Sequence, residues 1–184
     1  LTWLRILMIP AIIGVFYLPE GWLLRTQSNL IATVLFVAAA VTDWLDGYLA
    51  RRLNQMSAFG AFLDPVADKL MVAAALIVLV DLDRASVDVA LIIIGREIAI
   101  SALREWMAEI GARRKVAVSA LGKFKTTAQI VGLSMMLYYE DLLGLPTYRI
   151  GLALTMLAAV LTLWSMVYYL RKAWPMIKER HESG

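Results

Sequence analysis

Six apolar stretches constrain the fold of this chain more than any other feature. Each is close to the roughly 20 residues that a helix needs to cross the hydrocarbon core of a bilayer, and they cover residues 3–19, 29–49, 59–81, 86–109, 124–143 and 149–171. With 61% hydrophobic and 18% charged residues, the chain is too apolar for an ordinary soluble domain. The sequence predicts an all-α integral membrane protein, with six transmembrane helices forming a single domain over residues 1–184.

The first stretch also has some marks of a signal peptide, because Arg5 precedes an apolar run. However, residues 17–20 (Tyr-Leu-Pro-Glu) form a poor cleavage site and five more stretches follow. We therefore interpret this stretch as a retained helix. The chain begins at Leu1 rather than at a methionine, and its true start is expected upstream.

The lysine and arginine residues predict the orientation of these helices. Twelve of the 18 belong to one set of helix ends and loops: Arg5, Arg51, Arg52, Arg113, Arg114, Lys115, Lys123, Lys125, Arg171, Lys172, Lys178 and Arg180. The opposite loops hold only Arg25, Arg84 and Arg149. By the positive-inside rule, the basic side and both termini face the cytoplasm.

The basic residues give no sign of a nucleic acid partner. They form no stripe interleaved with aromatic residues, so the net charge of +3 is better explained by membrane topology. The chain has no cysteine, which excludes a disulfide framework and a thiolate metal site.

Four aspartates lie near the predicted cytoplasmic ends of the second and third helices. Asp43 and Asp46 are three residues apart and Asp64 and Asp68 are four apart, so each pair shares one helix face. The connector is short enough for the helices to be antiparallel neighbours, which makes the pairs converge. Carboxylates beside a bilayer are costly unless they are paired, hydrated or bound to a cation. An all-oxygen set of this charge selects Mg²⁺ or Mn²⁺, and four carboxylates suffice for two such ions, as in phosphoryl chemistry.

Small residues accompany the aspartates at fixed spacing. Gly47 and Ala50 follow the first pair, and Gly60 precedes the second. They allow a ligand to approach closely, but close packing between helices in lipid explains any one of them equally well. Pro65, inside the second pair, either starts the third helix or kinks it.

The complete pattern resembles the signature of the CDP-alcohol phosphotransferase family. Its eight fixed positions read Asp43-x2-Asp46-Gly47-x2-Ala50-Arg51-x8-Gly60-x3-Asp64-x3-Asp68. The resemblance runs nearly from end to end, through residues 41–47, 59–69, 101–109 and 122–129. These segments are similar to the branch of the family whose acceptor is glycerol phosphate.

The resemblance implies a six-helix enzyme of the bacterial cytoplasmic membrane, usually a homodimer, with a polar cavity open to the cytoplasm and to membrane lipids. Such an enzyme transfers the phosphatidyl group of CDP-diacylglycerol to sn-glycerol 3-phosphate, which yields phosphatidylglycerophosphate and CMP. The positions of Asp43, Asp46, Asp64 and Asp68 would hold two Mg²⁺ or Mn²⁺ ions, and Asp68 would also be the catalytic base.

The same resemblance implies two sets of binding residues. CDP-diacylglycerol would contact Gly47, Ala50, Arg51, Gly60, Thr2 and Arg5, although Arg5 is equally well explained as a topology anchor. The acceptor phosphate would contact Arg96, Arg104, Lys123 and Lys125. In the alternative interpretation, the arginines pair with nearby acids and the lysines extend to the cytoplasmic interface. For Arg96 the two interpretations are evenly balanced.

Other functions compete with this one. Within the family, the acceptor could instead be inositol phosphate, serine or a second phosphatidylglycerol. A membrane carrier for metal ions or protons would need ionisable groups across the depth of the bilayer, whereas most charges here lie toward one surface. A non-catalytic scaffold that uses metal for assembly would not need the spacing of Gly47, Ala50 and Gly60. The sequence favours the transferase.

Overall fold

The residues that the structure describes form six α-helices, one for each predicted stretch. A computed structural model describes residues 2–19, 21–53, 58–109 and 120–181. Within these ranges the helices are α1 (Thr2–Gly14, continued by a 3₁₀ turn, Val15–Tyr17), α2 (Arg25–Leu53), α3 (Ala58–Asp81), α4 (Val87–Glu109), α5 (Ala120–Tyr138) and α6 (Thr147–His181). The described ranges contain no β-strand, only an isolated bridge between Leu142 and Leu145.

The helix ends differ from the predicted stretches for local reasons. Helix α2 begins at Arg25 and α6 continues to His181, because a helix can extend past its apolar section into polar surroundings. Helix α5 ends at Tyr138, since Tyr139 has a φ of 67°, outside the helical region. Pro65 lies inside α3, which begins at Ala58, so the alternative in which it starts this helix is wrong.

Within the described residues, two of the helices contain a section long and apolar enough to cross a membrane. These sections are Arg25–Leu45 and Thr147–Val167, with mean hydropathies of 1.6 and 2.1. A shorter apolar section runs from Trp3 to Tyr17. Large apolar side chains such as Leu30 and Val34 point outward from α2, as expected for a surface that faces lipid.

The packing of α1 between α2 and α3 brings the amino-terminal end of the chain to the aspartates. Helix α1 contacts both neighbours, while α2 contacts α5, α3 contacts α4, and α4 contacts α6. The core they share contains aromatic and aliphatic side chains from every helix, among them Ile12, Phe36, Leu76, Ile93 and Leu133, with small residues between them. The aspartates of α2 and α3 therefore lie close to Arg5 of α1.

Helices α5 and α6 approach each other through two glycines. A Cβ atom on Gly132 would lie 2.6 Å from Oγ1 of Thr155 and 2.9 Å from the carbonyl oxygen of Gly151. A Cβ atom on Gly151 would lie 2.7 Å from the carbonyl oxygen of Gly132. The backbones can be this close only because both residues lack a side chain. This contact fixes the position of α5, which carries one wall of the cavity described below.

Candidate active site

Three of the four aspartates surround a single arginine side chain. Arg5 is fully buried, and its guanidinium lies 3.1 Å from Asp43, 2.9 Å from Asp68 and 3.9 Å from Asp64. Asp43 belongs to α2, whereas Asp64 and Asp68 lie one turn apart on α3. The convergence of α2 and α3 expected from the spacing is therefore present for these three residues.

The charges in this cluster are not balanced. Three carboxylates against one guanidinium leave an excess of two negative charges among the described side chains. All the potential ligands are carboxylate oxygens, which suit Mg²⁺ or Mn²⁺ better than soft metals. Among the described residues, no three side chains are arranged closely enough to hold a metal ion. Asp43, Asp64 and Asp68 instead share the guanidinium of Arg5. The donor atoms and the excess charge are compatible with divalent metal ions.

Other residues expected at this site can be placed only by their helix. Asp46, Gly47, Ala50 and Arg51 belong to α2, Gly60 to α3, Thr2 to α1, Arg104 to α4 and Lys123 to α5. Their side chains lie outside the part of the chain that the structure describes. Their predicted roles stay predictions.

A cavity of about 560 Å³, lined by both polar and apolar side chains, lies beside the aspartates. Asp43 and Asp68 form part of its wall together with Pro65 and Lys69. The facing helices α4 and α5 contribute polar residues to the remaining wall: Arg96, Glu97, Ser101, Glu105, Thr126 and Gln129. The cavity therefore joins the aspartates to a wall that carries the buried Arg96 together with Glu97 and Glu105.

Arg96 and Lys125 lie beside this cavity and share one acidic partner. Nη1 of Arg96 donates to Oε1 of Glu97 at 2.6 Å, and Nζ of Lys125 lies 3.5 Å from the same oxygen. Nη2 of Arg96 donates to Ser165 at 3.3 Å. Arg96 thus pairs with a nearby acid, as one interpretation expects, and it also lines the cavity, as expected for a residue that contacts the acceptor phosphate. Glu97 therefore bridges two buried cations, one on α4 and one on α5.

Six polar residues of the cavity were not among the predicted site residues: Lys69, Glu97, Ser101, Glu105, Thr126 and Gln129. Glu97 organises the two cations, and its position directly after Arg96 was the only signal in the sequence. Gln129 is 4% exposed, and its Oε1 atom has no hydrogen-bond partner within the described residues. Its signal is the four-residue spacing from Lys125, which places the two side chains on one face of α5.

The sequence matches known proteins over most of its length. The profile of the CDP-alcohol phosphatidyltransferase family matches residues 1–168. A CDP-diacylglycerol–glycerol-3-phosphate 3-phosphatidyltransferase of Escherichia coli (strain K12) is 50% identical over 181 residues, which cover 94% of this chain and 92% of the relative.

Proteins of the same name from two other bacteria are equally similar. The one from Shigella flexneri is 50% identical and the one from Salmonella choleraesuis (strain SC-B67) is 49% identical, each over the same shares of the two chains. Similarity of this extent covers the aspartate cluster and the whole cavity.

Proposed function

Since this chain belongs to the CDP-alcohol phosphatidyltransferase family, we infer that it transfers the phosphatidyl group of CDP-diacylglycerol to sn-glycerol 3-phosphate. The products are phosphatidylglycerophosphate and CMP, so the protein is a membrane transferase of phospholipid biosynthesis. The observation that carries this conclusion is the 50% identity over 94% of the chain to relatives named for this reaction. The cavity beside the aspartates also carries Lys69 and Arg96, which can contact anionic substrates.

In the reaction, the 1-hydroxyl oxygen of glycerol 3-phosphate attacks the phosphorus that carries the diacylglycerol. A new phosphorus–oxygen bond forms, the pyrophosphate bond breaks, and CMP leaves with the bonding electrons. We propose that the carboxylate of Asp68 accepts the proton of the attacking hydroxyl. Asp68 lines the cavity and lies 2.9 Å from Arg5, which holds its side chain in place.

The metal centre is also a proposal. Asp43, Asp46, Asp64 and Asp68 would hold two Mg²⁺ or Mn²⁺ ions, supported by the carboxylate donors and the excess negative charge around Arg5. Metal ions held by these residues would neutralise charge on the pyrophosphate and the departing CMP. CDP-diacylglycerol would contact residues of α1, α2 and α3: Thr2, Arg5, Gly47, Ala50, Arg51 and Gly60.

The acceptor phosphate would bind the cationic wall of the cavity. Arg96 lines the cavity and shares Glu97 with the buried Lys125, and Arg104 and Lys123 belong to the same two helices.

We further propose six membrane spans with both termini and the cavity facing the cytoplasm, as the positive-inside rule predicts. Because the chain has no cysteine, single cysteines can report this orientation. Asp141→Cys should react with an impermeant maleimide in intact cells, and Arg171→Cys only after permeabilisation; the reverse result would contradict the orientation. We also expect a homodimer surrounded by membrane lipids. Light scattering of the purified protein in detergent would give the mass of two chains, and a mass of one chain would contradict the dimer.

The activity can be tested with purified protein, CDP-diacylglycerol and Mg²⁺ or Mn²⁺. Each candidate acceptor is supplied separately, and the release of CMP is measured. Glycerol 3-phosphate should give the fastest release. A preference for inositol phosphate or serine would refute the acceptor assignment, and no release with any alcohol would refute the transferase.

A further inference from the structure

We propose that Gln129 determines acceptor specificity by forming a hydrogen bond with the secondary hydroxyl of glycerol 3-phosphate. This inference rests on the proposed function and concerns the one hydroxyl that does not react. It identifies how the cavity distinguishes a phosphorylated glycerol from a phosphorylated alcohol that lacks this group.

The first argument is the burial of an unsatisfied amide oxygen. Gln129 is 4% exposed, and its Oε1 atom lacks a hydrogen-bond partner within the residues that the structure describes. Leaving a buried polar group unpaired costs about 1–3 kcal/mol. The side chain nevertheless lines the cavity, where a ligand can reach it. A ligand that pairs with this amide recovers the cost, and a ligand without a suitable group does not.

The second argument is the position of Gln129 relative to the cations. Gln129 follows Lys125 by one turn of α5, which corresponds to about 6 Å along the helix axis and the same helix face. Asp43 and Asp68 lie on another wall of the same cavity. In glycerol 3-phosphate the secondary hydroxyl lies on the carbon between the phosphate-bearing carbon and the attacking hydroxyl. With the phosphate near Lys125 and the attacking hydroxyl near Asp68, the secondary hydroxyl is the group available to Gln129.

The third argument is chemical. An amide offers both a donor and an acceptor, and a hydroxyl also offers both, so the two groups can pair in either orientation of the amide. Arg96 adds a donor on the same cavity, since its Nε atom is buried without a hydrogen-bond partner within the described residues. The pair of unmatched groups suits a ligand that carries a hydroxyl as well as an anionic oxygen.

The test combines two enzymes with two acceptors. Wild type and Gln129→Met are each assayed with sn-glycerol 3-phosphate and with 3-hydroxypropyl phosphate, which lacks only the secondary hydroxyl. Wild type should favour glycerol 3-phosphate by about tenfold or more in kcat/KM, the equivalent of one hydrogen bond. Gln129→Met should lose about tenfold with glycerol 3-phosphate and change less than about twofold with 3-hydroxypropyl phosphate. The KM for CDP-diacylglycerol should be unchanged in both.

Ser134→Ala is a matched control, because Ser134 lies on the same helix and its hydroxyl donates to the carbonyl oxygen of Ile130 at 2.8 Å. It should retain the wild-type preference. Gln129→Asn keeps the amide on a shorter side chain and should discriminate less than wild type but more than Gln129→Met. If Gln129→Met fails to fold, wild type and Gln129→Asn still decide the question.

Equal losses with both acceptors in Gln129→Met, or a wild type that uses both acceptors equally well, would overturn the role of Gln129. Neither result would affect the proposed reaction, which fails only if wild type does not use glycerol 3-phosphate. The two failures are therefore distinguishable.

Discussion

Two buried arginines lie near opposite ends of α3, and their surroundings differ in kind. Near the start of α3, Arg5 contacts three carboxylates that outnumber its single charge. Beyond the end of the helix, Arg84 donates to neutral groups: the carbonyl oxygens of Leu137 at 3.1 Å and Met136 at 3.5 Å, and the side chain of Asn29 at 2.9 Å. Around Arg5 the negative charge is in excess, so bound cations can change the net charge there. Around Arg84 the hydrogen bonds are satisfied and hold neighbouring helices together.

The backbone at the end of α3 positions Arg84 for these hydrogen bonds. Helix α3 ends in a Schellman motif, with the amide of Arg84 bonded to the carbonyl of Leu79 and Asp83 in the left-handed region at a φ of 56°. This turn directs Arg84 toward the carboxyl end of α5, where it also lies 4.1 Å from the ring centre of Tyr139. Burial lowers the pKa of the Arg84 guanidinium, so its charge has a cost that these contacts offset. We infer that this end serves stability and the Arg5 end serves chemistry.

The largest expected effect separates activity from stability at the Arg5 end. Asp68→Asn should lower kcat by about 10³-fold or more, because the amide cannot accept the proton of the acceptor hydroxyl. Its unfolding temperature should stay the same or rise slightly, since one of several like charges is removed. CMP release and thermal unfolding in detergent measure the two quantities. The control is Asp88→Asn, at an exposed position near the Arg84 end, which should leave kcat unchanged. A near-normal rate for Asp68→Asn would remove Asp68 from the role of base.

The converse is expected at the Arg84 end. Arg84→Ala leaves the amide oxygen of Asn29 and two carbonyl oxygens without their donor. The free energy of unfolding should fall by about 3 kcal/mol, and the unfolding temperature by about 5–10 °C, while the activity of the folded fraction stays near normal. Arg149→Ala removes an exposed arginine at the same end and should have little effect. If Arg84→Ala reduced kcat without reducing stability, the proposed division between the two ends would be wrong.

A smaller effect is expected from the contact that holds α5 in place. Gly132→Ala introduces a Cβ atom 2.6 Å from Oγ1 of Thr155, so α5 and α6 must separate slightly. The free energy of unfolding should decrease by about 1–3 kcal/mol. Gly95→Ala is the matched control, because a Cβ atom there would meet nothing within 4 Å, and it should be neutral or mildly stabilising. Equal unfolding temperatures for the two variants would show that the close approach has no energetic importance.

The helices were predictable from sequence because their apolar stretches are long and separated by clear breaks. Each predicted stretch corresponds to one helix, while ends such as that of α5 depend on the conformation of Tyr139, which hydropathy does not report. The convergence of Asp43 with Asp64 and Asp68 was also predictable, since helical spacing and a short connector determine it.

The contacts between distant residues were not predictable. Arg84 was interpreted only as one of three basic residues in the opposite loops, and its burial depends on the Schellman turn and on the end of α5. The contact of Arg5 with three aspartates depends on the packing of α1 between α2 and α3. The pairing of Glu97 with both Arg96 and Lys125 depends on how the packing of α4 and α5 against their neighbours places the two side chains. Such contacts come from tertiary packing, which local spacing does not encode.

The most direct test of the central claim is the binding of Mn²⁺ to the aspartates. Hydrated Mn²⁺ has an electron paramagnetic resonance signal that is lost on binding, so a titration of metal-free protein counts the bound ions. We expect about two Mn²⁺ per chain in wild type and fewer in Asp43→Asn and Asp64→Asn, with Asp88→Asn unchanged. If wild type binds no Mn²⁺, or if all four proteins bind it equally, the aspartates do not form the metal centre and the account is wrong.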